Sequence, residues 1–184
     1  ALKNYQAVIK IRPDHVEARN NLGVIYDRRQ QYDLAISEYQ AAIKSNPQYA
    51  KAYYNLGVSY EAKSLANEAL SAYQNAIRLQ PDHSETYNRL GGLYEKQKQY
   101  DLAAEAYIKS LQVKPKNWNI CNNLGVVYFK QKQYDKALDQ FQTAIRLKPD
   151  FADAYYNLAI VYTQKEMPEK AIEADEQYQK LQKK

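Results

Sequence analysis

The chain has 184 residues, 45% of them hydrophobic and only 5 of them Gly, which is material for a continuous core with few loops. Its 26 Lys and Arg outnumber its 21 Asp and Glu only slightly, a formal net charge of +5 that is too mild to require a polyanionic partner. No apolar run nears the ~18 residues of a membrane span, the start Ala1-Leu2-Lys3-Asn4-Tyr5 lacks a secretory apolar stretch, and Cys121, standing alone, can form neither an intrachain disulfide nor a cysteine zinc site. A soluble protein without membrane contact is expected, with the cytoplasm as its default compartment and the periplasm as the alternative.

Proline recurs at Pro13, Pro47, Pro81, Pro115 and Pro149, each 34 on from the last, so the chain is an array of one unit. In chain order, residues 1–15 match the second half of a unit, because Ala1, Tyr5, Val8 and Pro13 fall 34 before Ala35, Tyr39, Ala42 and Pro47. That start within a repeat suggests a fragment of a longer protein. Four full units follow at 16–49, 50–83, 84–117 and 118–151, and a fifth at 152–184 stops one residue short.

Within each unit two runs of about 13 residues carry apolar or small residues at steps of three and four, which predicts two amphipathic helices folded back as a hairpin. The first run reads Leu22-Gly23-Tyr26, Leu56-Gly57-Tyr60, Leu90-Gly91-Tyr94, Leu124-Gly125-Tyr128 and Leu158-Ala159-Tyr162 at its seventh, eighth and eleventh positions. The second carries Ala35, Ala69, Ala103, Ala137 and Ala171, then an aromatic at Tyr39, Tyr73, Tyr107 and Phe141. The glycine predicts close helix packing that offsets its ~1 kcal/mol cost in a helix. Asp14 with Glu17 and Asp82 with Glu85 have capping-box spacing. Asp33, Asp101 and Asp135 are expected to open second helices, Pro168 to sit in a first helical turn, and the repeated proline to end each unit. In the fifth unit Asp175 takes the aromatic position, and a narrow apolar stripe of Ala171, Ala174, Tyr178 and Leu181 predicts a capping helix.

These residues resemble the tetratricopeptide repeat along the whole chain. The family's usual tryptophan at the fourth position is replaced by Arg19, Tyr53, Tyr87, Cys121 and Tyr155. The resemblance implies an all-α fold, a right-handed α-solenoid or superhelix of antiparallel helix pairs.

Nothing in the sequence departs from the repeat in the way catalysis demands, so no enzyme activity, cofactor or metal is expected. His15 and His83 fall in connections two repeats apart, four of the five glycines are the packing glycines with Gly92 beside one of them, and Cys121 takes a core position. Arg28, Arg29, Lys63, Lys96, Lys98, Lys130, Lys132 and Lys165 lie near the ends of first helices, where cations complement the helix dipole. They form a solvated edge or a basic ridge that steers an acidic partner. Nucleic acid is disfavoured because no groove-entering motif is present.

The resemblance implies that the second, fifth, sixth, ninth and twelfth positions of first helices line a concave face. The sixth reads Asn21, Asn55, Arg89, Asn123 and Asn157, and the fifth Asn20, Tyr54, Asn88, Asn122 and Tyr156. A side-chain amide can bond both the N–H and the C=O of one peptide unit. With first helices about 10 Å apart, a strand rising about 3.3 Å per residue meets one Asn every third residue. A similar asparagine ladder lines the superhelical repeat region of O-linked N-acetylglucosamine transferases, where it holds substrate segments. The competing reading is that these amides bond neighbouring helices and stabilise the stack. The carboxylate clamp of chaperone-binding family members is not expected: its five positions hold Asn20, Val24, Asn55, Glu85 and Arg89 here, and only Asn55 and Arg89 match. The expected function is a scaffold or adaptor that binds an extended or helical peptide from a protein partner. The alternatives are the substrate-recognition region of a larger enzyme such as a glycosyltransferase, and self-association through exposed repeat ends.

Overall fold

A computed structural model describes residues 1–183. Eleven α-helices and no strand occur among them: α1 (Leu2–Ile11), α2 (Val16–Arg28), α3 (Tyr32–Ser45), α4 (Ala50–Ala62), α5 (Ala66–Leu79), α6 (Ser84–Lys96), α7 (Tyr100–Val113), α8 (Trp118–Lys130), α9 (Tyr134–Leu147), α10 (Ala152–Gln164) and α11 (Pro168–Gln182). The even-numbered helices are the first helices of their hairpins. The chain divides into two compact units within α6, one of Ala1–Thr86 and one from Tyr87 onward.

Every hairpin turn has the same hydrogen-bond pattern. The N–H of Gln31 reaches the Tyr26 carbonyl at 2.9 Å and that of Gln30 the Asp27 carbonyl at 2.8 Å, the paired bonds of a Schellman motif. Leu65 and Ser64, Gln99 and Lys98, Gln133 and Lys132, and Met167 and Glu166 repeat the pair. The motif requires one left-handed residue per turn, and none of the five is glycine: Gln30, Ser64, Lys98, Lys132 and Glu166 all have φ between 56° and 60°.

The helix starts correct one expectation. Asp14 does not cap α2. The chain turns through Pro13-Asp14, the helix begins at Val16, and His15 is the cap, its Nδ1 accepting the Ala18 N–H at 3.4 Å. His83 holds the same place before α6, with its Nδ1 2.6 Å from Thr86 Oγ1, and Asn117 caps α8 by accepting the Ile120 N–H at 3.2 Å. Asp33, Asp101 and Asp135 lie in the first turns of α3, α7 and α9, and Pro168 opens α11.

In the first unit the core is built on Ala35, Tyr39, Leu56 and Ala72, with Val24, Tyr26 and Tyr60 packed around it. In the second, Tyr107 lies with Ile120, Leu124 and Val127, and Phe141 with Leu158, Val161 and Tyr162. The repeated glycines make room for the aromatic rings. A Cβ on Gly23, Gly57, Gly91 or Gly125 would fall 2.5–2.6 Å from a ring carbon of Tyr39, Tyr73, Tyr107 or Phe141 respectively. Only a missing side chain allows that approach. The last hairpin carries Ala159 at the glycine position and Asp175 at the ring position, so a Cβ is accepted where the ring is gone.

Candidate functional site

The two rows of first-helix residues do different things. In the first unit, Asn20 is fully buried while Asn21 and Asn55 are half-buried. Asn55 Nδ2 donates to Asn20 Oδ1 at 2.8 Å, across a separation of 35 residues. Asn20 Nδ2 stands 3.5 Å from Asn21 Oδ1, and Asn21 Nδ2 stands 3.4 Å from the Tyr5 hydroxyl. Tyr54, half-buried, sets its ring edge-on to His83 with centroids 4.9 Å apart.

The second unit repeats the arrangement. Asn157 Nδ2 donates to Asn122 Oδ1 at 3.0 Å, at the same separation in sequence, and Asn122 is buried. Asn123 hydrogen-bonds the Tyr107 hydroxyl. Asn88 and Arg89 are half-buried, and Tyr156 is exposed, its ring 5.3 Å from Tyr178. Successive residues of a helix are rotated by about 100°. When the sixth position faces outward, the fifth therefore turns toward the next repeat. Asn20 and Asn122 belong to the wall, and Asn55 and Asn157 stand in front of them.

A second polar row escaped the sequence reading. The twelfth position holds Asp27, Glu61 and Glu95, and each accepts a hydroxyl proton from the aromatic of its own hairpin: Tyr39 at 2.7 Å, Tyr73 at 3.0 Å and Tyr107 at 3.2 Å. Ser59 Oγ adds a second bond to Asp27 at 2.7 Å. Burial, then the neighbouring carboxylate, raises the Tyr39 and Tyr107 hydroxyls well above the ordinary tyrosine range, so both remain donors. Glu95 is pushed up by burial, against the opposing pull of the Tyr107 bond and of Lys130 and Lys96. The signal was present as a pairing of columns. The aromatic is Tyr where the twelfth residue is acidic, and Phe141 where it is Phe129.

The cations near the hairpin turns are partly spoken for. Lys63 pairs with Asp33 and Lys165 with Asp135, each pair joining one hairpin to the start of the preceding second helix. Gln131 Nε2 makes the equivalent bond to Asp101 at 2.7 Å. The aspartates of these pairs are exposed, so each pair contributes at most about 1 kcal/mol. On the second and twelfth positions of first helices, carboxylates (Glu17, Asp27, Glu61, Glu85, Glu95 and Asp153) outnumber cations, of which the second, fifth, sixth, ninth and twelfth positions hold only Lys51 and Arg89.

The fourth position, where the family carries tryptophan, also has a visible role. Arg19 Nε donates to the Pro13 carbonyl, and Tyr155 donates to the Pro149 carbonyl at 3.3 Å. Both tie a first helix to the proline that ends the preceding unit. Arg19 also pairs with Glu38 at 2.9 Å. Cys121, at the same position, is buried, and burial raises its thiol above the ordinary range. Among the described residues no cluster of three or more His, Cys, Asp or Glu could hold a metal ion, and no helix is long and apolar enough to cross a membrane.

Antiparallel helix pairs repeated at the constant proline interval, glycine against ring in four of five, define an all-α solenoid. The chain belongs to the tetratricopeptide-repeat family. Models described as TPR repeat or tetratricopeptide repeat match residues 4–37, 28–64, 48–116, 96–145, 127–165 and 152–184, which together run through the chain from residue 4 to its end. Among solved structures, the chain is similar to YrrB, described as a TPR protein with an unusual peptide-binding site, at 24% identity and a TM-score of 0.89 over 99% of this chain and 94% of that one. It is similar to MamA at 22% identity and a TM-score of 0.85 over 88% and 95% of the two chains. For MamA 41-end from Desulfovibrio magneticus RS-1 the values are 20% and 0.86 over 91% and 95%. At these identities the likeness is one of fold. No curated protein matches the sequence.

Proposed function

We propose that the chain is a protein-interaction scaffold in which the first helices of each unit hold an extended peptide segment through their outward asparagines, Asn21 and Asn55 in the first unit and Asn123 and Asn157 in the second. The observation that carries this reading is the repeated pair Asn55 to Asn20 and Asn157 to Asn122. In each pair the buried amide takes one proton of the outer amide and so fixes which way it faces. The outer carbonyl and second N–H then remain for the N–H and C=O of a ligand peptide unit. Such an orienting bond limits the rotamer entropy lost when ligand binds. Tyr54, Asn88, Arg89 and Tyr156 complete the face, and Asn20 and Asn122 act as its supports.

The apolar ninth positions, Val24 and Val58 in the first unit and Val126 and Ile160 with Gly92 in the second, give each unit apolar surface suited to small ligand side chains. The excess of carboxylates on this face favours a neutral or basic segment over an acidic one. The description of YrrB as peptide-binding supports the same use of the fold.

The test compares the wild-type chain with the Asn21, Asn55, Asn123 and Asn157→Ala quadruple variant in a pull-down, after circular dichroism has shown both to be helical. Loss of specific partners from the variant alone is the expected result. Retention of every partner by both would move the binding surface elsewhere.

A further inference from the structure

Positions two repeats apart hold equivalent places in the second and fourth hairpins, so one can be read against the other. In the fourth, Trp118 at the first position of α8 meets Phe151 edge to face with ring centroids 4.5 Å apart, and Lys148 Nζ stands 4.2 Å from the indole centroid. Both rings pack on the buried cluster of Cys121, Ala144 and Ala154. In the second hairpin Trp118 is replaced by Ala50, Phe151 by His83 and Lys148 by Gln80, while Ala76 and Thr86 stand for the two alanines. The indole has no counterpart there. In its place lies a cavity of about 260 Å³, walled by Ala50, Ala76, Gln80, His83 and Thr86, with Tyr54, Asn55 and Lys51 around it.

We infer that this cavity is a socket for one aromatic side chain of the bound segment, an inference that rests on the peptide-binding reading above. Three features point to that occupant. The volume suits one ring system: an apolar cavity of about 150 Å³ accepts benzene, and drug-sized ligands use about 300–1,000 Å³. The walls already include an aromatic pair, Tyr54 edge-on to His83 at 4.9 Å, which offers an entering ring the geometry that Trp118 and Phe151 adopt. The amides of Asn55 and Gln80 border the space, so the polar edge of an indole or phenol finds partners there. Asn55 also joins the socket to the ladder. In an extended segment side chains alternate along the chain, so a peptide unit held by Asn55 has a neighbouring side chain within reach of the cavity that Asn55 lines.

The experiment has two arms. Free indole is titrated into the full chain while methyl resonances of Ala76 and Thr86 are followed by NMR. Saturable shifts are expected in the wild type and their loss in Ala50→Trp, which copies the fourth hairpin. Absence of saturable shifts in the wild type, or the same shifts in a folded Ala50→Trp protein, would overturn the socket and leave the ladder standing. If Ala50→Trp does not fold, the double variant Ala50→Trp with Gln80→Lys restores the pairing of Trp118 with Lys148 and serves in its place. In the second arm a random peptide-display library is selected on both proteins. A Trp or Tyr at one fixed place in wild-type binders, lost on the filled variant with at least a tenfold drop in affinity, is expected. Binders without such a residue would overturn the inference. Recovery of no binder at all would overturn the peptide reading, and this inference with it, even where indole binds.

Discussion

The first hairpin and the fourth share a backbone plan and a glycine–ring contact, yet they fill the space around that contact in opposite ways. Around α2 and α3, Asp27 accepts from Tyr39 and from Ser59 of the next first helix, both at 2.7 Å. Around α8 and α9 the same three places are Phe129, Phe141 and Val161, and the cluster is apolar. The carboxylate and the ring hydroxyl change together because a half-buried carboxylate needs donors, and a buried hydroxyl needs an acceptor. The third hairpin shows an incomplete set. Glu95 keeps the Tyr107 hydroxyl, but Val127 stands where Ser59 would supply a second donor. Burial pushes the Glu95 carboxyl up, against the pull of the Tyr107 bond.

The largest effect is expected where the two regions agree. Gly57→Leu and Gly125→Leu drive a side chain into the ring of Tyr73 or Phe141, already 2.5–2.6 Å from a bare Cβ. Each should cost roughly 1–3 kcal/mol or more. Chemical denaturation would show it, and an unchanged midpoint for either would remove the glycine–ring contact from the shared plan.

The next effect separates the regions. Tyr39→Phe withdraws one of the two hydroxyls from Asp27 and should cost about 1.5–3 kcal/mol, the range for hydrogen bonds to charged groups. The triple variant Asp27→Phe, Tyr39→Phe and Ser59→Val installs the apolar set of the fourth hairpin, and should lose less than its single changes sum to. Strict additivity in a full mutant cycle would contradict the view that these residues act as one set.

A pH experiment sharpens the third case. Because burial holds the folded-state pKa of Glu95 above its ordinary 4.5, the folded chain binds this proton more tightly than the unfolded chain does. The stability Glu95 contributes is therefore fully present below about pH 4.5 and is lost as pH rises through its folded value. Glu95→Gln should raise Tm at pH 7, and the gain should shrink as pH falls toward 4. A gain independent of pH would assign the effect to something other than the carboxylate.

The smallest effect concerns the turns. Lys132→Gly relieves a left-handed residue at φ 60° and should gain about 0.5–1 kcal/mol by the same denaturation assay, less whatever glycine gives back in unfolded-chain entropy.

Most of the fold was legible because its determinants are local and periodic. Proline spacing, the glycine column and the aromatic column need no knowledge of neighbouring repeats. The cap at α2 was misplaced by one residue because Pro13-Asp14 is consumed by the turn, which leaves His15 at the helix start. The site was only half legible. Which asparagines occupy a first helix is plain, but Asn20 and Asn55 are 35 residues apart, and whether they face a ligand or each other depends on how two helices are rotated against one another. The carboxylate row was visible in principle. It becomes informative only when the twelfth column is read together with the tyrosines 12 residues further on.

Outer asparagines that read peptide backbone need the ligand's own amide N–H groups. Isothermal titration of a display-selected peptide against the same peptide N-methylated at every third amide tests this need directly, with the wild type and Asn55→Ala in parallel. N-methylation should weaken wild-type binding at least tenfold, about 1.4 kcal/mol, and weaken binding to Asn55→Ala by less. Equal affinity of the two peptides for the wild-type chain would contradict backbone reading by the asparagines.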